Sequence, residues 1–252
     1  MIHFVGAGPG AEDLITIRGK NLLEKADVII YAGSLVNPAL LAYAKKDAKI
    51  HNSAKMTLEE VIDVMKDAEA AGLDTVRLHT GDQSLFGAIR EQMDLLDEAG
   101  IEYDDTPGVS SFSAAAAACN AEYTLPSVSQ SVIITRMEGR TPVPEGEKMR
   151  LMASHGCTMV IFLSSSLLDK VQAELIEGGY SEDTPAAIVY KASWPDEKVM
   201  YCNVGTIAKT AEENGIKNTA LVLVGGFLGD RYERSKLYDP TFTTLFRKAS
   251  HS

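Results

Sequence analysis

The sequence predicts an α/β protein made of two α/β domains, residues 1–120 and 121–252. Three observations carry this reading. Up to Pro107-Gly108, short apolar runs alternate with segments of helical periodicity, a pattern that gives a mostly parallel sheet covered on both faces. After about residue 120 the texture changes, and a second set of strand-like runs follows. The length, 252 residues, suits one large or two small domains and buries roughly 70% of the surface an unfolded chain exposes.

The elements follow in order. Ile2 to Val5 is a strand that stops in Gly6-Ala7-Gly8-Pro9-Gly10. A helix is expected from about Thr16 to Lys25, then a second strand at Val28-Ile29-Ile30-Tyr31. Thr57-x-x-Glu60 has the form of a capping box, each side chain taking the other residue's amide. Leu58, Val61, Ile62 and Met65 then share one helical face, and Gly72 ends the helix. Thr75 to Leu78 reads as a strand entering the loop Thr80-Gly81-Asp82-Gln83. Leu85, Ile89, Met93 and Leu96 recur at helical spacing up to Gly100. Ile101 to Tyr103 reads as a strand that leads to Pro107-Gly108. Further on, Ala114 to Ala118 is helical, Val128 to Thr135 is β-rich, and Thr141-Pro142-Val143-Pro144 is a stiff loop. A buried strand is expected at Met159 to Leu163 and a helix from Leu167 to Glu177. Strands at Ala186 to Tyr190, Val199 to Val204 and Leu221 to Val224 complete the set.

Composition excludes several classes. Hydrophobic residues at 45% and charged residues at 23% are globular values, not those of a disordered or collagen-like chain. A net charge of -11 lacks the basic footprint of nucleic-acid or anionic-membrane binding. Cys119, Cys157 and Cys202 form no CxxC pair, which speaks against a metal knuckle and for a reducing compartment. No basic segment precedes a long apolar stretch at the N-terminus, and no apolar run nears 18 residues. The expectation is a cytoplasmic protein.

Gly6, Gly8 and Ala11 match G-x-G-x-x-G/A, the turn that brings a pyrophosphate to backbone amides at a helix start. Three details oppose a dinucleotide there. Pro9 has no N–H to offer, Glu12 and Asp13 put carboxylates near the phosphate position, and Tyr31-Ala32 ends the second strand without the acid a ribose needs. No P-loop, H-E-x-x-H or G-x-S-x-G is present. His3, His51, His79, His155 and His251 have no ligand spacing, and His79 reads as a satisfied strand-end histidine. Glu59-Glu60 reads as a solvated first helical turn. What stands out is small-residue loops at successive strand ends: Gly6 to Gly10, Thr80 to Gln83, and Pro107 to Ser111. Ligands bind at strand C-termini in α/β sheets, and such loops offer backbone groups to a small ligand of mixed polarity.

These segments resemble a known family. VGAGPGAEDLITIRGKNLLEKADVIIYAGSLV is similar to the opening of the tetrapyrrole (corrin and porphyrin) methylases, and RLHTGDQSLFGAIREQ to their second signature. PGVSSFSAAAA, VIFLSSS, PAAIVYKASWPDEKV and ALVLVGGF resemble the later blocks, so the resemblance covers nearly the whole chain. YAGSLV, ITRMEGRTPVPEGE and SKLYDPTF resemble the branch acting at C11 of precorrin-4, including its cobalt version. The resemblance implies a two-domain fold, usually homodimeric, with S-adenosylmethionine (product S-adenosylhomocysteine) in a cleft between the domains. It implies cofactor contacts at Pro9, at Thr80, Gly81, Asp82 and Leu85, at Ser110 and Ser111, and at Leu163, Ala192 and Ala220. Two departures matter: Ala32 stands where some relatives carry an Asp, and Gln83 where many carry Pro.

The implied substrate, a precorrin, is rich in carboxylates, so local cations count for more than net charge. At physiological salt, charges more than about 8 Å apart are largely screened. Lys55, Arg90, Arg136, Arg140 and Lys191 are candidates, with the two arginines of RMEGR preferred because Arg can hold a carboxylate bidentately. Alternatives are a methylase for another ring position of a precorrin or of uroporphyrinogen III, a nicotinamide-dependent oxidoreductase, and a non-catalytic binder. No protein-bound metal is expected, and the sequence identifies no catalytic base: Ala32 carries none at the position where some relatives have an acid.

Overall fold

The computed structural model describes residues 1–250, so His251 lies outside the described residues. The chain divides into two compact units, Met1–Ala115 with Lys191–Glu197, and Ala116–Tyr190 with Lys198–Ser252.

The first unit holds a five-stranded, all-parallel sheet of β1 (Ile2–Gly6), β2 (Val28–Tyr31), β3 (Lys49–Asn52), β4 (Thr75–His79) and β5 (Tyr103–Thr106), in the order β3-β2-β4-β1-β5. Its helices are α1 (Ile17–Lys25), α2 (Leu58–Ala70) and α3 (Arg90–Glu98). Alternate strand residues face opposite ways. Val5, Ile29, Val76 and Leu78 pack with Leu23 of α1, while Ile2, Phe4, Val28 and Ile30 pack with Val61, Ile62 and Met65 of α2 and Leu96 of α3. Each such fully buried side chain contributes about 1.5–3 kcal/mol. α2 starts with the expected capping box: Thr57 Oγ1 accepts from Glu60 N at 3.3 Å, and Glu60 Oε2 accepts from Thr57 N at 2.8 Å. The third helix corrects the sequence expectation. Leu85 and Ile89 precede it, because Phe86 and Ala88 take left-handed backbone (φ 58° and 49°), which no α-helix contains. The last strand also shifts, to Tyr103–Thr106. β3, at the sheet's exposed edge, went unread because Lys49, His51 and Asn52 give no apolar run.

The second unit holds a mixed sheet. It comprises β6 (Val132–Arg136), β7 (Thr158–Phe162), β8 (Pro185–Tyr190), β9 (Lys198–Asn203) and β10 (Ala220–Val224), in the order β6-β7-β10-β8-β9. Only β6 and β7 run parallel; the other pairings are antiparallel. The strand direction in this sheet follows from its connections. Residues 191–197, which join β8 to β9, are too few for a crossover helix between parallel strands. Met159, Ile161, Ile188 and Val222 pack with Val171 and Leu175 of α6 (Leu168–Glu177) and Ile207 of α7 (Ile207–Glu213). α5 (Met149–Ala153) and α7 carry no clear sequence signal, being short, and β6 starts at Val132 rather than Val128. α4 (Ser111–Ala118) begins in the first unit. No described helix is long and apolar enough to cross a membrane.

Candidate functional site

Parallel register brings three strand ends of the first unit to one edge: Gly6 lies beside His79, and Val5 beside Thr106. The loops leaving these strands interlock. Ala7 N donates to His79 O at 2.7 Å. Gly8 and Gly81 exchange both backbone hydrogen bonds, Gly8 N to Gly81 O at 3.2 Å and Gly81 N to Gly8 O at 2.8 Å. Asp82 joins the second loop to the third: Oδ2 accepts from Gly108 N at 2.8 Å, and Oδ1 accepts from Ser84 N at 3.0 Å. Gln83 is buried and donates Nε2 to Thr106 O at 2.9 Å and to Asp105 Oδ1. Glycine is required for this approach. A Cβ on Gly6 would stand 2.5 Å from Gly108 Cα and 2.7 Å from Gly81 O.

The Gly6–Gly10 turn is also held from outside. Pro9 O accepts from Trp194 Nε1 at 3.0 Å, Gly10 O from Asn37 Nδ2 at 2.8 Å, and Ala11 N donates to Ser193 Oγ at 3.0 Å. Lys191 Nζ lies 5.5 Å above the Trp194 ring and 2.6 Å from Asp196 Oδ2. Thr80 Oγ1 donates to Leu35 O at 3.4 Å. Pro9, Ser110 and Ala192 are buried, Leu85 is half-buried in the turn before α3, and Ser111 opens α4. Gly8 and Ala11 thus direct their amides at protein acceptors, and Pro9 has none. The turn is not the amide cradle a pyrophosphate needs. Glu12 and Asp13 are exposed, and Ala32 N pairs with Leu78 O.

Behind the loops lies a buried polar group. Arg77 donates Nε to Gln92 Oε1 at 3.0 Å and Nη1 to Ile30 O at 3.2 Å. Burial lowers its pKa to about 10, still charged at neutral pH. His79 is a strand-end residue as expected, but it is not satisfied. It is 5% exposed, its ring lies 6.4 Å from that of Phe4, and Nε2 has no hydrogen-bond partner. Burial, aided by the Arg77 charge, pushes the imidazole down to about 3.

The second unit presents a separate feature. Leu163 follows β7, is 58% exposed and has φ 51°. The antiparallel register Val222 to Ile161 puts Ala220 at the same end of the sheet, where Ser165 Oγ donates to Ala220 O at 3.0 Å. Leu163 lines a groove of about 510 Å³ together with Arg136, Arg140, Leu167 and Lys170. The structure therefore brings together Leu163 and the two preferred arginines. Lys55, Arg90 and Lys191 belong to the first unit and are not among the residues that line this groove. Lys55 ends a short exposed 3-10 turn, and Arg90 pairs with Asp94 at 2.7 Å along α3. Sequence reasoning missed Lys170, Asn37 and Trp194. Lys170 sits in no motif, and Trp194 reaches Pro9 across 185 positions of chain. Among the described residues no group of three His, Cys, Asp or Glu side chains could hold a metal ion.

A parallel sheet with interlocked glycine loops at its strand C-termini, followed by a mixed five-stranded sheet, defines a two-sheet α/β scaffold whose strand-end platform is walled by backbone and small side chains. Residues 1–208 match the Tetrapyrrole (Corrin/Porphyrin) Methylases, and the chain belongs to that family. It is 58% identical to the cobalt-precorrin-4 C(11)-methyltransferase of Methanocaldococcus jannaschii over 249 residues, 98% of this chain and 96% of that protein. The X-ray structure of a cobalamin biosynthetic enzyme, cobalt precorrin-4 methyltransferase, matches with a TM-score of 0.89 at 48% identity, covering 91% of this chain and 96% of that one. A uroporphyrin-III C-methyl transferase from Thermus thermophilus, complexed with S-adenyl homocysteine, shares the fold at 24% identity and a TM-score of 0.75, covering 90% of this chain and 92% of that one.

Proposed function

We propose that the protein is an S-adenosylmethionine-dependent methyltransferase that methylates C11 of precorrin-4, with or without cobalt in the macrocycle, in cobalamin (vitamin B12) biosynthesis. The observation that carries this reading is the interlock of Gly6, Gly81 and Gly108 at three adjacent strand ends. It leaves a platform whose walls are backbone and small side chains and whose Gly-rich turn has its Ala7, Gly8 and Ala11 amides engaged. That suits a nucleoside joined to an amino acid better than a pyrophosphate.

S-adenosylmethionine supplies an electrophilic methyl group on a sulfonium. In the first unit we assign its contacts to Pro9, to the Thr80–Asp82 loop with Leu85, and to Ser110, Ser111 and Ala192. In the second unit we assign them to Leu163 and Ala220. Asp82, engaged with Gly108 N and Ser84 N, acts by fixing the loops on which these contacts ride. The chain's contribution to rate is positioning: holding the acceptor carbon in line at 3–3.5 Å is worth about 7–11 kcal/mol. We assign no covalent intermediate, catalytic base or resident metal. On the substrate side we assign Arg140 and, through the turn it closes, Arg136; Lys55, Arg90 and Lys191 are assigned with them, the last two already ion-paired.

Calorimetric titration with S-adenosylhomocysteine, NAD and NADP tests the class. S-adenosylhomocysteine should bind at least tenfold tighter than either nicotinamide cofactor, and a preference for NAD would overturn the reading. We further assign a cytoplasmic location and a homodimer. The exposed Leu237, Tyr238, Leu245 and Phe246 of the second unit favour self-association. Light scattering after gel filtration should give twice the 27.2 kDa chain mass; a monomer at micromolar concentration would contradict it.

A further inference from the structure

We propose that the groove of the second unit is a carboxylate-binding site with divided labour: Arg140 and Lys170 touch the ligand's carboxylates, and Arg136 builds the wall that presents Arg140. This deepens the reading above and rests on its carboxylate-bearing macrocycle.

At about 510 Å³ the groove lies within the range of small-molecule sites, roughly 300–1,000 Å³. Arg136, Arg140 and Lys170 line it, and no Asp or Glu does. No acid of this chain of net charge -11 offsets the three cations within the groove lining, in contrast to Lys45 with Asp27, Arg90 with Asp94, Lys148 with Glu145 and Lys191 with Asp196. Among the described residues, the Arg140 and Lys170 side chains make no hydrogen bond or ion pair. Three like charges along one groove repel one another, and an anion relieves that repulsion.

Arg136 differs from the other two. Its Nη1 donates to Thr141 O at 3.2 Å and Met137 O at 3.4 Å, and its Nη2 donates to Pro142 O at 2.7 Å. Of the five N–H donors of a guanidinium, those on Nη1 and Nη2 make three hydrogen bonds here and close the 137–142 turn that carries Arg140. The exposed Leu163, with Leu167, gives the groove an apolar side. The site therefore fits a flat, apolar-faced anion with carboxylates at its rim, not a bare inorganic ion.

Fluorescence anisotropy with uroporphyrin, a stable macrocycle with eight carboxylates, tests the assignment, with four-carboxylate coproporphyrin as the comparison. The parent protein should bind uroporphyrin more tightly than coproporphyrin. Arg140→Gln and Lys170→Gln should each weaken uroporphyrin about fivefold at low salt, an effect that shrinks as salt rises. S-adenosylhomocysteine affinity should stay unchanged in both and report correct folding. Arg136→Gln should weaken binding by a factor that salt does not reduce, and should speed proteolysis within 137–144. Parent-like uroporphyrin affinity in both the Arg140 and Lys170 variants, or no binding by the parent, would overturn the groove. If the parent still methylates precorrin-4 in that case, the methyltransferase reading stands without it. If the parent methylates nothing yet binds uroporphyrin through Arg140 and Lys170, the groove stands and the reading falls.

Discussion

A methyl group on residue 108 would stand 2.7 Å from Gly6 Cα and nearer still to Gly81 O. Backbone cannot yield there as a side chain would, so Gly108→Ala must spread the loops after β1, β4 and β5. The expected outcome is a loss of about 1–3 kcal/mol of stability in denaturant unfolding and at least a tenfold loss of S-adenosylhomocysteine affinity by calorimetry. Parent-like affinity would separate the interlock from the cofactor. His79 makes a second prediction. Its native pKa, about 3, lies below the roughly 6.5 of an unfolded histidine. The unfolded chain therefore binds the extra proton between these values, and stability falls as pH drops through that window. The contribution is complete above pH 7, and about 2 kcal/mol of it is lost by pH 5. In His79→Leu this part of the pH dependence should vanish, which paired denaturation curves at pH 7 and 5 would read. At this scale the glycines were legible, since three small-residue loops at strand ends are a local pattern. The Trp194 anchor and the unpartnered His79 Nε2 were not, because both depend on contacts between distant parts of the chain.

Among the elements, α2 was the most legible, since cap, apolar face and Gly72 all lie within one local window. Thr57→Ala removes the acceptor for Glu60 N and should cost about 1 kcal/mol, measurable as a shift in the denaturation midpoint. α3 shows the limit of periodicity. Leu85 and Ile89 keep helical spacing with Met93 and Leu96, but the chain uses residues 83–86 as a turn and 87–89 as a non-helical link into α3. Gly87 is part of the reason: a Cβ there would stand 3.0 Å from Gln83 Cα, so the turn folds back tightly on the loop before it. β3 illustrates the converse, an edge strand whose polar residues give no apolar alternation, and β5 begins at Tyr103, where the apolar start at Ile101 ends and polar residues take over.

For the whole molecule, the acidity of the chain argued against polyanionic partners, and the groove of the second unit shows why that argument stops short of small anions. Three cations on one lined surface outweigh a distant net charge that salt screens beyond about 8 Å. The α/β class and the parallel first sheet were legible because buried parallel strands advertise themselves as apolar runs. The antiparallel pairings of the second sheet were not, since strand direction depends on connection length rather than on the strands themselves. The central claim, methyl transfer to one carbon of a tetrapyrrole, is tested most directly by incubating the protein with S-adenosylmethionine carrying a ¹³C methyl group and with precorrin-4, with and without cobalt, then locating the label by NMR. The account predicts one labelled methyl per macrocycle, at C11, in at least one of the two substrates; no transfer to either, or label at another ring carbon, would contradict it.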